Sequence, residues 1–246
     1  MTSGQTRYVR AVEDLLLAWF AEHGRDLPWR STRDPYAILV SEVMSQQTQV
    51  ERVVPRWRSW LERWPTVDAL AAAPAADVIR EWQGLGYNRR ALALHGAAQH
   101  VAAHGWPDDL TELAGVGRYT ADAVACFAFG RRVLPVDVNV RRVSERTGHS
   151  FSPGAAQALM DLGKTVCLAR VPRCGACPLA AACPSRGSRF DPVRRQGPFE
   201  GSFRQRRAAA LREVVAGSQP RDAEAVASLA RDGLVLVDGD AVSLPR

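Results

Sequence analysis

Lysine is almost missing from this chain. Of 32 basic residues in 246, only Lys164 is a lysine, so arginine carries the positive charge, and its planar fork suits bidentate contacts to phosphate. Long apolar runs are missing too. None approaches the roughly 18 residues a membrane span needs, which excludes a transmembrane protein. The N-terminus, Met1-Thr-Ser-Gly-Gln-Thr-Arg-Tyr, has no apolar segment behind a basic patch, so no secretory signal is read and a cytoplasmic, nucleoid-associated location is expected. No sustained period-2 alternation occurs before residue 170, which excludes a large sheet.

What is present describes a globular chain: 46% apolar residues, 24% charged and a net charge of +6. The length fits one or two domains, and the basic surplus makes a polyanion the expected partner. Helical periodicity predicts a mostly α fold, with helices over Arg7–His23, Pro35–Thr48, Val50–Trp64, Val67–Ala71, Ala75–Trp82, Arg89–His104, Asp109–Leu113, Arg118–Phe129, Asn139–Thr147 and Pro153–Cys167. Pro35 and Pro153 suit first helical turns, and Gly24, Gly105, Gly130 and Gly148 stand where C-terminal caps belong.

After Cys183 the composition shifts, with 63 residues remaining. Residues 186–212 hold eight arginines against Asp191 and Glu200, which predicts a linker or a phosphate-binding strap over 185–204. Gln205–Ala216 and Arg221–Asp232 read as two helices, and Leu234–Leu244 as a β-hairpin around Asp-Gly. Residues 205–246 therefore form a small, winged-helix-like α+β appendix to a core over 1–184.

Four of the five cysteines fall in the order Cys167-x6-Cys174-x2-Cys177-x5-Cys183. In a reducing compartment, such a cluster points to metal rather than disulfides. Four thiolates can close a zinc site or hold a [4Fe–4S] cluster. Zinc ribbons usually pair two short C-x2-C knuckles, whereas only one short spacing occurs here. The loop resembles the iron–sulfur loop of endonuclease III and MutY-type DNA glycosylases, which implies a [4Fe–4S] cofactor. A zinc staple is the alternative.

Leu113-Ala-Gly-Val-Gly-Arg-Tyr-Thr-Ala lies between a short helix and a longer apolar one. Gly115 and Gly117 permit a tight turn with positive φ, with Val116 between them, and the next helix then presents free N–H groups to a phosphate. Twenty residues after Gly117 stands Asp137, at a helix start in Val136-Asp-Val-Asn-Val. Hairpin, acid and four-cysteine loop, in that order, resemble the helix-hairpin-helix DNA glycosylase superfamily from about residue 8 to 184, implying its two-lobed fold. Within the superfamily, Leu27-Pro-Trp-Arg, Ser41-Glu-Val-Met-Ser-Gln-Gln-Thr-Gln-Val, Gly84-Leu-Gly-Tyr, Tyr119 and Asp137-x-Asn139 look like the adenine-excising MutY branch.

The resemblance implies an adenine DNA glycosylase, a monomeric repair enzyme acting on adenine opposite 8-oxoguanine or G in double-stranded DNA. Cutting the N-glycosidic bond needs a protonated leaving base and a stabilised sugar cation, much as in glycoside hydrolysis. Glu42, on an apolar helix, fits the proton donor, and Asp137 the anion facing the sugar. Tyr119 stands where strand-cutting relatives carry a lysine. A phenol cannot form their imine, so a monofunctional enzyme is expected, with Tyr119 and Asn139 supporting Asp137. Flipping the base out needs a substitute in the stack. Gln47 and Tyr87 match those wedge positions beside the opposing base, which they and Thr48 would also contact, and Arg25, Leu27, Trp29, Arg30, Ser45 and Gln157 match positions lining the base pocket.

Three departures bear on the substrate. Ser45 replaces the usual leucine, Val138 replaces the usual glycine, and the 63 residues after Cys183 are too few for a Nudix-like lesion-reading domain. Two alternatives stay open: excision of another base, such as T or U opposite G or a damaged purine, and a non-catalytic iron–sulfur DNA-binding protein.

Overall fold

The computed structural model describes residues 3–191 and 197–246, with side chains described from Ala11 onward. The chain is mostly helical and divides into two compact units, Met1–Arg33 with Arg118–Arg195, and Asp34–Gly117 with Gln196–Arg246. Among the described residues, no helix is long and apolar enough to cross a membrane.

The first unit holds α1 (Ser3–His23), a 3-10 turn at Pro28–Arg30, and α7 (Arg118–Phe127), α8 (Val138–Thr147) and α9 (Ala156–Thr165), followed by the cysteine loop. Helices α1, α8 and α9 bury Val12, Leu16, Val140, Val143, Leu159 and Leu162 against one another. These apolar residues recur at helical spacing, so each helix offers one stripe to a shared core. Helix α8 is delimited by its own sequence: Asp137 caps its first turn, and Gly148, at φ 68°, closes it in the left-handed conformation.

The second unit holds α2 (Pro35–Ser45), α3 (Val50–Arg63), α4 (Val67–Ala71), α5 (Ala75–Glu81) and α6 (Arg89–His104). Its core carries three tryptophans in edge contact, Trp60 with Trp64 and Trp82. Their polar handles are satisfied inside: Trp60 Nε1 donates to the Tyr36 hydroxyl at 3.1 Å, which donates to the Trp64 carbonyl at 3.0 Å. Trp57 Nε1 donates to the Ala37 carbonyl at 2.8 Å.

The C-terminal segment completes this unit. Helices α10 (Phe203–Val215) and α11 (Ala223–Arg231), and the hairpin of β1 (Leu236–Asp238) and β2 (Ala241–Ser243), enclose Ala210, Leu211, Val214, Ala225, Leu229 and Leu234 together with Ile79 of α5. The strands pair Leu236 with Ser243, Val237 with Val242 and Asp238 with Ala241 around Gly239.

Several expected boundaries shift. The expected helix over Asp109–Leu113 is only a 3-10 turn, Leu110–Glu112, because Asp109 caps it and Leu113 is already extended. Helix α2 stops at Ser45, and Pro153–Ala155 is a 3-10 turn leading into α9. The basic strap also reads differently. Arg194 and Arg195 lie outside the described residues. Arg204 donates to the Gly197 carbonyl at 2.7 Å, Arg206 pairs with Asp222 and Glu224, and Arg207 with Asp232. Two of the eight arginines, Arg206 and Arg207, are thus paired with acids that follow them in the sequence.

Candidate active site

Asp137 sits half-buried at the N-terminus of α8. Its Oδ1 accepts from the Asn139 and Val140 amides at 2.8 and 2.7 Å, and Asn139 Nδ2 donates to Oδ2 at 2.6 Å. Three donors and the helix dipole hold one carboxylate in a single orientation. Asn139 is oriented in turn by Arg142, whose Nη2 donates to Asn139 Oδ1 at 2.8 Å while its Nε donates to the Cys167 carbonyl at 2.7 Å. This close approach of α8 and α9 requires Gly163. A Cβ there would stand 2.6 Å from Asn139 Cβ and 3.1 Å from its carbonyl oxygen.

Asp161 of α9, fully buried, gathers the arginines expected to line the base pocket. Its carboxylate accepts from Arg25 N, Nε and Nη2 at 2.8, 2.8 and 2.6 Å, and from Arg30 Nη1 and Nη2 at 2.9 and 2.8 Å. Burial alone would raise the carboxyl's pKa. The hydrogen bonds from Arg30 and Arg25 outweigh it and hold Asp161 below the usual carboxylate value. Arg30 also donates to the Arg25 carbonyl at 2.6 Å and lies over Phe20. In the same unit Leu27 is buried, while Trp29, Tyr119 and Gln157 are half-buried. Trp29 is thus not a wholly enclosed core residue.

The second unit carries the other candidates. Glu42 and Ser45 are half-buried on α2, and Thr48 follows it, half-buried. Gln47 and Tyr87 are exposed, and they are the two non-glycine residues with left-handed backbones among those described, at φ 54° and 47°. Such a conformation costs about 1–3 kcal/mol at a non-glycine residue and persists only where neighbours impose it. In the hairpin, Gly115 takes φ 73°, and a Cβ there would stand 2.6 Å from Ala93 Cβ. Gly117, expected to share that conformation, does not have a positive φ, because it already leads into α7. Val116 is buried.

The four cysteines face one pocket, lined also by Val143, Arg146, Leu162 and Pro172. Among the described residues, no group of three or more His, Cys, Asp or Glu side chains is gathered as a single metal ion requires. A lone zinc ion draws four sulfurs to about 2.3 Å from one point, whereas an iron–sulfur cube keeps its thiolates apart around a larger body. Four thiols lining one pocket are the donor set that such a cube would use. Burial first, and then the neighbouring sulfurs of Cys167, Cys183 and Cys174, push the Cys177 thiol up; a bound cation reverses such a preference. N–H donors already face the sulfurs, Arg146 Nη1 to Cys167 at 3.4 Å and the Gly187 amide to Cys174 at 3.3 Å.

Sequence reasoning passed over Asp161, Arg142, Gly163 and Arg90. Asp161 carried one available signal, an acid at a core position of an apolar helix, which demands a buried partner.

Residues 40–163 match the family described as HhH-GPD superfamily base excision DNA repair protein. The chain is 44% identical over 243 residues to the adenine DNA glycosylase of Mycobacterium tuberculosis, covering 83% of this chain and 79% of that one. It is 36% identical to the human adenine DNA glycosylase, covering 72% of this chain and 40% of the human protein. Among solved structures, a thermostable thymine-DNA glycosylase superimposes with a TM-score of 0.66 at 25% identity, covering 74% of this chain and 98% of that one. A trapped covalent endonuclease III–DNA intermediate gives 0.62, also at 25% identity, covering 75% and 96%. The chain belongs to the HhH-GPD superfamily of base excision DNA repair proteins, in the group of the adenine DNA glycosylases.

Proposed function

We propose that this enzyme hydrolyses the N-glycosidic bond of an adenine flipped out of duplex DNA, opposite 8-oxoguanine or G, and leaves the strand uncut. The observation that carries the reading is Asp137, a carboxylate held by three donors at a helix start. In the reaction the bond between the sugar C1′ and adenine N9 breaks and its electron pair leaves with the base. Glu42 gives a proton to adenine N7, so the base departs neutral rather than as an anion. Asp137 faces the cationic sugar until water adds at C1′ and passes its released proton to the Glu42 carboxylate, restoring the acid. Tyr119 and Asn139 support Asp137.

The only lysine, Lys164, is exposed on α9, and neither it nor Tyr119 supplies the imine by which related enzymes cut the strand. Arg25, Leu27, Trp29, Arg30, Ser45 and Gln157 line the base pocket in this reading. Gln47 and Tyr87 take the place of the extruded base, Thr48 lies beside them as a DNA contact, and the turn of Gly115, Val116 and Gly117 meets a phosphate through its amides. Cys167, Cys174, Cys177 and Cys183 would hold a [4Fe–4S] cluster, which when bound would tie the loop together, while the exposed Arg170 and Arg173 within the loop present positive charge to phosphate. The enzyme works as a monomer on mismatched or damaged duplex, at the nucleoid.

A single-turnover panel pairing A, T, U and hypoxanthine with G, 8-oxoguanine and C tests the reading. Adenine opposite 8-oxoguanine should be released fastest. Preferential release of T or U opposite G would overturn the base assignment and favour a thymine-type specificity, for which Ser45 is the first residue to examine.

A further inference from the structure

Gln47 follows the end of α2 and Tyr87 the turn before α6, forty residues apart, yet one side chain reaches the backbone around both. Arg90, in the first turn of α6, donates through Nη1 to the carbonyls of Val43 at 2.6 Å, Gln46 at 2.7 Å and Met44 at 3.3 Å. Its Nη2 donates to Gly86 at 3.0 Å, Leu85 at 3.2 Å and Thr48 Oγ1 at 3.3 Å, and its Nε to the Tyr87 carbonyl at 3.4 Å. The guanidinium also lies 5.3 Å from the Trp82 ring centroid and 5.5 Å from that of Tyr87. Thr48 Oγ1 closes the arrangement by donating to the Leu85 carbonyl at 3.3 Å.

The Val43, Met44 and Gln46 carbonyls belong to the open C-terminal end of α2, where unsatisfied oxygens and the negative end of the helix dipole favour a cation. Leu85 and Gly86 carbonyls belong to the turn that leads into Tyr87, whose backbone is left-handed. Only a planar fork with five N–H groups can serve both sets at once. A lysine presents three donors from a single point. Burial lowers the Arg90 guanidinium to about 10, so it stays a cation at neutral pH and can fill this place.

We propose that Arg90 is a positioning residue that fixes Gln47 and Tyr87 at one spacing, so that the two side chains enter DNA together as a single rigid wedge. This rests on the reading above, in which those two residues replace the extruded base. Their strained backbones are then held before DNA arrives, and the ordering cost is removed from the binding step.

The test uses full-length, cluster-loaded Arg90→Lys, with thermal melting as a check on folding. A duplex carrying 2-aminopurine opposite 8-oxoguanine reports unstacking by fluorescence, and affinity for an A·8-oxoguanine duplex relative to a matched duplex reports recognition. Arg90→Lys should lower that affinity ratio about tenfold, equivalent to about 1.4 kcal/mol, and suppress the fluorescence rise. Single-turnover release of adenine from an unpaired bulge, which needs no wedge, should stay within about threefold of the parent, since one strained pair and not the chemistry is perturbed. Tyr87→Ala and Gln47→Ala should add less in the Arg90→Lys background than in the parent, because both act through one network.

Equal losses on paired and bulged adenine, or full additivity, would overturn the proposal. Should Arg90→Lys fail to fold, Arg90→Gln, which keeps a planar group with two N–H donors and loses the charge, carries the same comparison. If the parent enzyme neither unstacks 2-aminopurine nor releases adenine, the base-flipping reading itself falls. If the parent does both and Arg90→Lys matches it, only the positioning role falls.

Discussion

Asp161→Asn removes one negative charge and leaves the shape of the side chain nearly unchanged. The carboxylate is fully buried and accepts five hydrogen bonds, four from two guanidiniums and one from the Arg25 amide. Substituting an amide turns acceptors into donors facing guanidinium N–H groups and leaves two cations adjacent without a counter-charge. Removing one partner of a buried ion pair costs about 3–5 kcal/mol. Arg25 and Arg30 keep 27% and 15% side-chain exposure, enough for water to relieve part of the burden, so the lower end, about 3 kcal/mol, is expected. For a chain of this length that corresponds to about 6–12 °C in melting temperature.

The pH dependence has a definite sign. The folded Asp161 carboxyl lies below its ordinary value of 3.8, so its contribution is complete above the unfolded value, near pH 4, and is lost as pH falls through the folded one. Melting the parent and Asp161→Asn from pH 7 down to pH 3 should show a constant gap that narrows only below about pH 4. Adenine release should fall as well, because Arg25 and Arg30 lose the group that orients them. A gap under about 1 kcal/mol at pH 7, the scale of an exposed pair, or a gap indifferent to acid, would refute the reasoning.

Asp137→Asn should abolish adenine release yet leave melting nearly unchanged, since asparagine caps a helix as well as aspartate does; retained turnover would remove Asp137 from the mechanism. Gly163→Ala forces a methyl group against Asn139 and should lower stability by about 1–3 kcal/mol, the usual cost of overpacking, together with slower excision; an unchanged melting curve would show that the two helices separate freely. Anaerobic purification should give a yellow-brown protein with about four irons per chain, and a colourless protein with one zinc would replace the cluster by a single ion. Truncation after Gly187 should depress melting of the second unit, because it uncovers Ile79 and Leu92; a truncated chain as stable as the parent would mean that this core does not depend on its C-terminal cover.

What the sequence by itself determined follows from interactions between near neighbours. Helical periodicity, the Asp137 and Gly148 ends of α8, the Gly115 turn, the Asp-Gly hairpin and the spacing of four cysteines each depend on residues a few positions apart, so they could be read in order. The candidates Asp137 and Tyr119, and the family itself, were legible from motifs of this kind. Tertiary structure alone decided what lies across long separations. Arg25 meets Asp161 at a distance of 136 residues in sequence, Arg142 meets the Cys167 carbonyl across 25, and Arg90 meets Val43 across 47. A charged residue in a sequence has no visible partner, and whether it neutralises a neighbour or faces solvent depends on which elements pack together. The same reason turned the basic strap from a row of free arginines into one whose Arg206 and Arg207 pair with acids further along the chain.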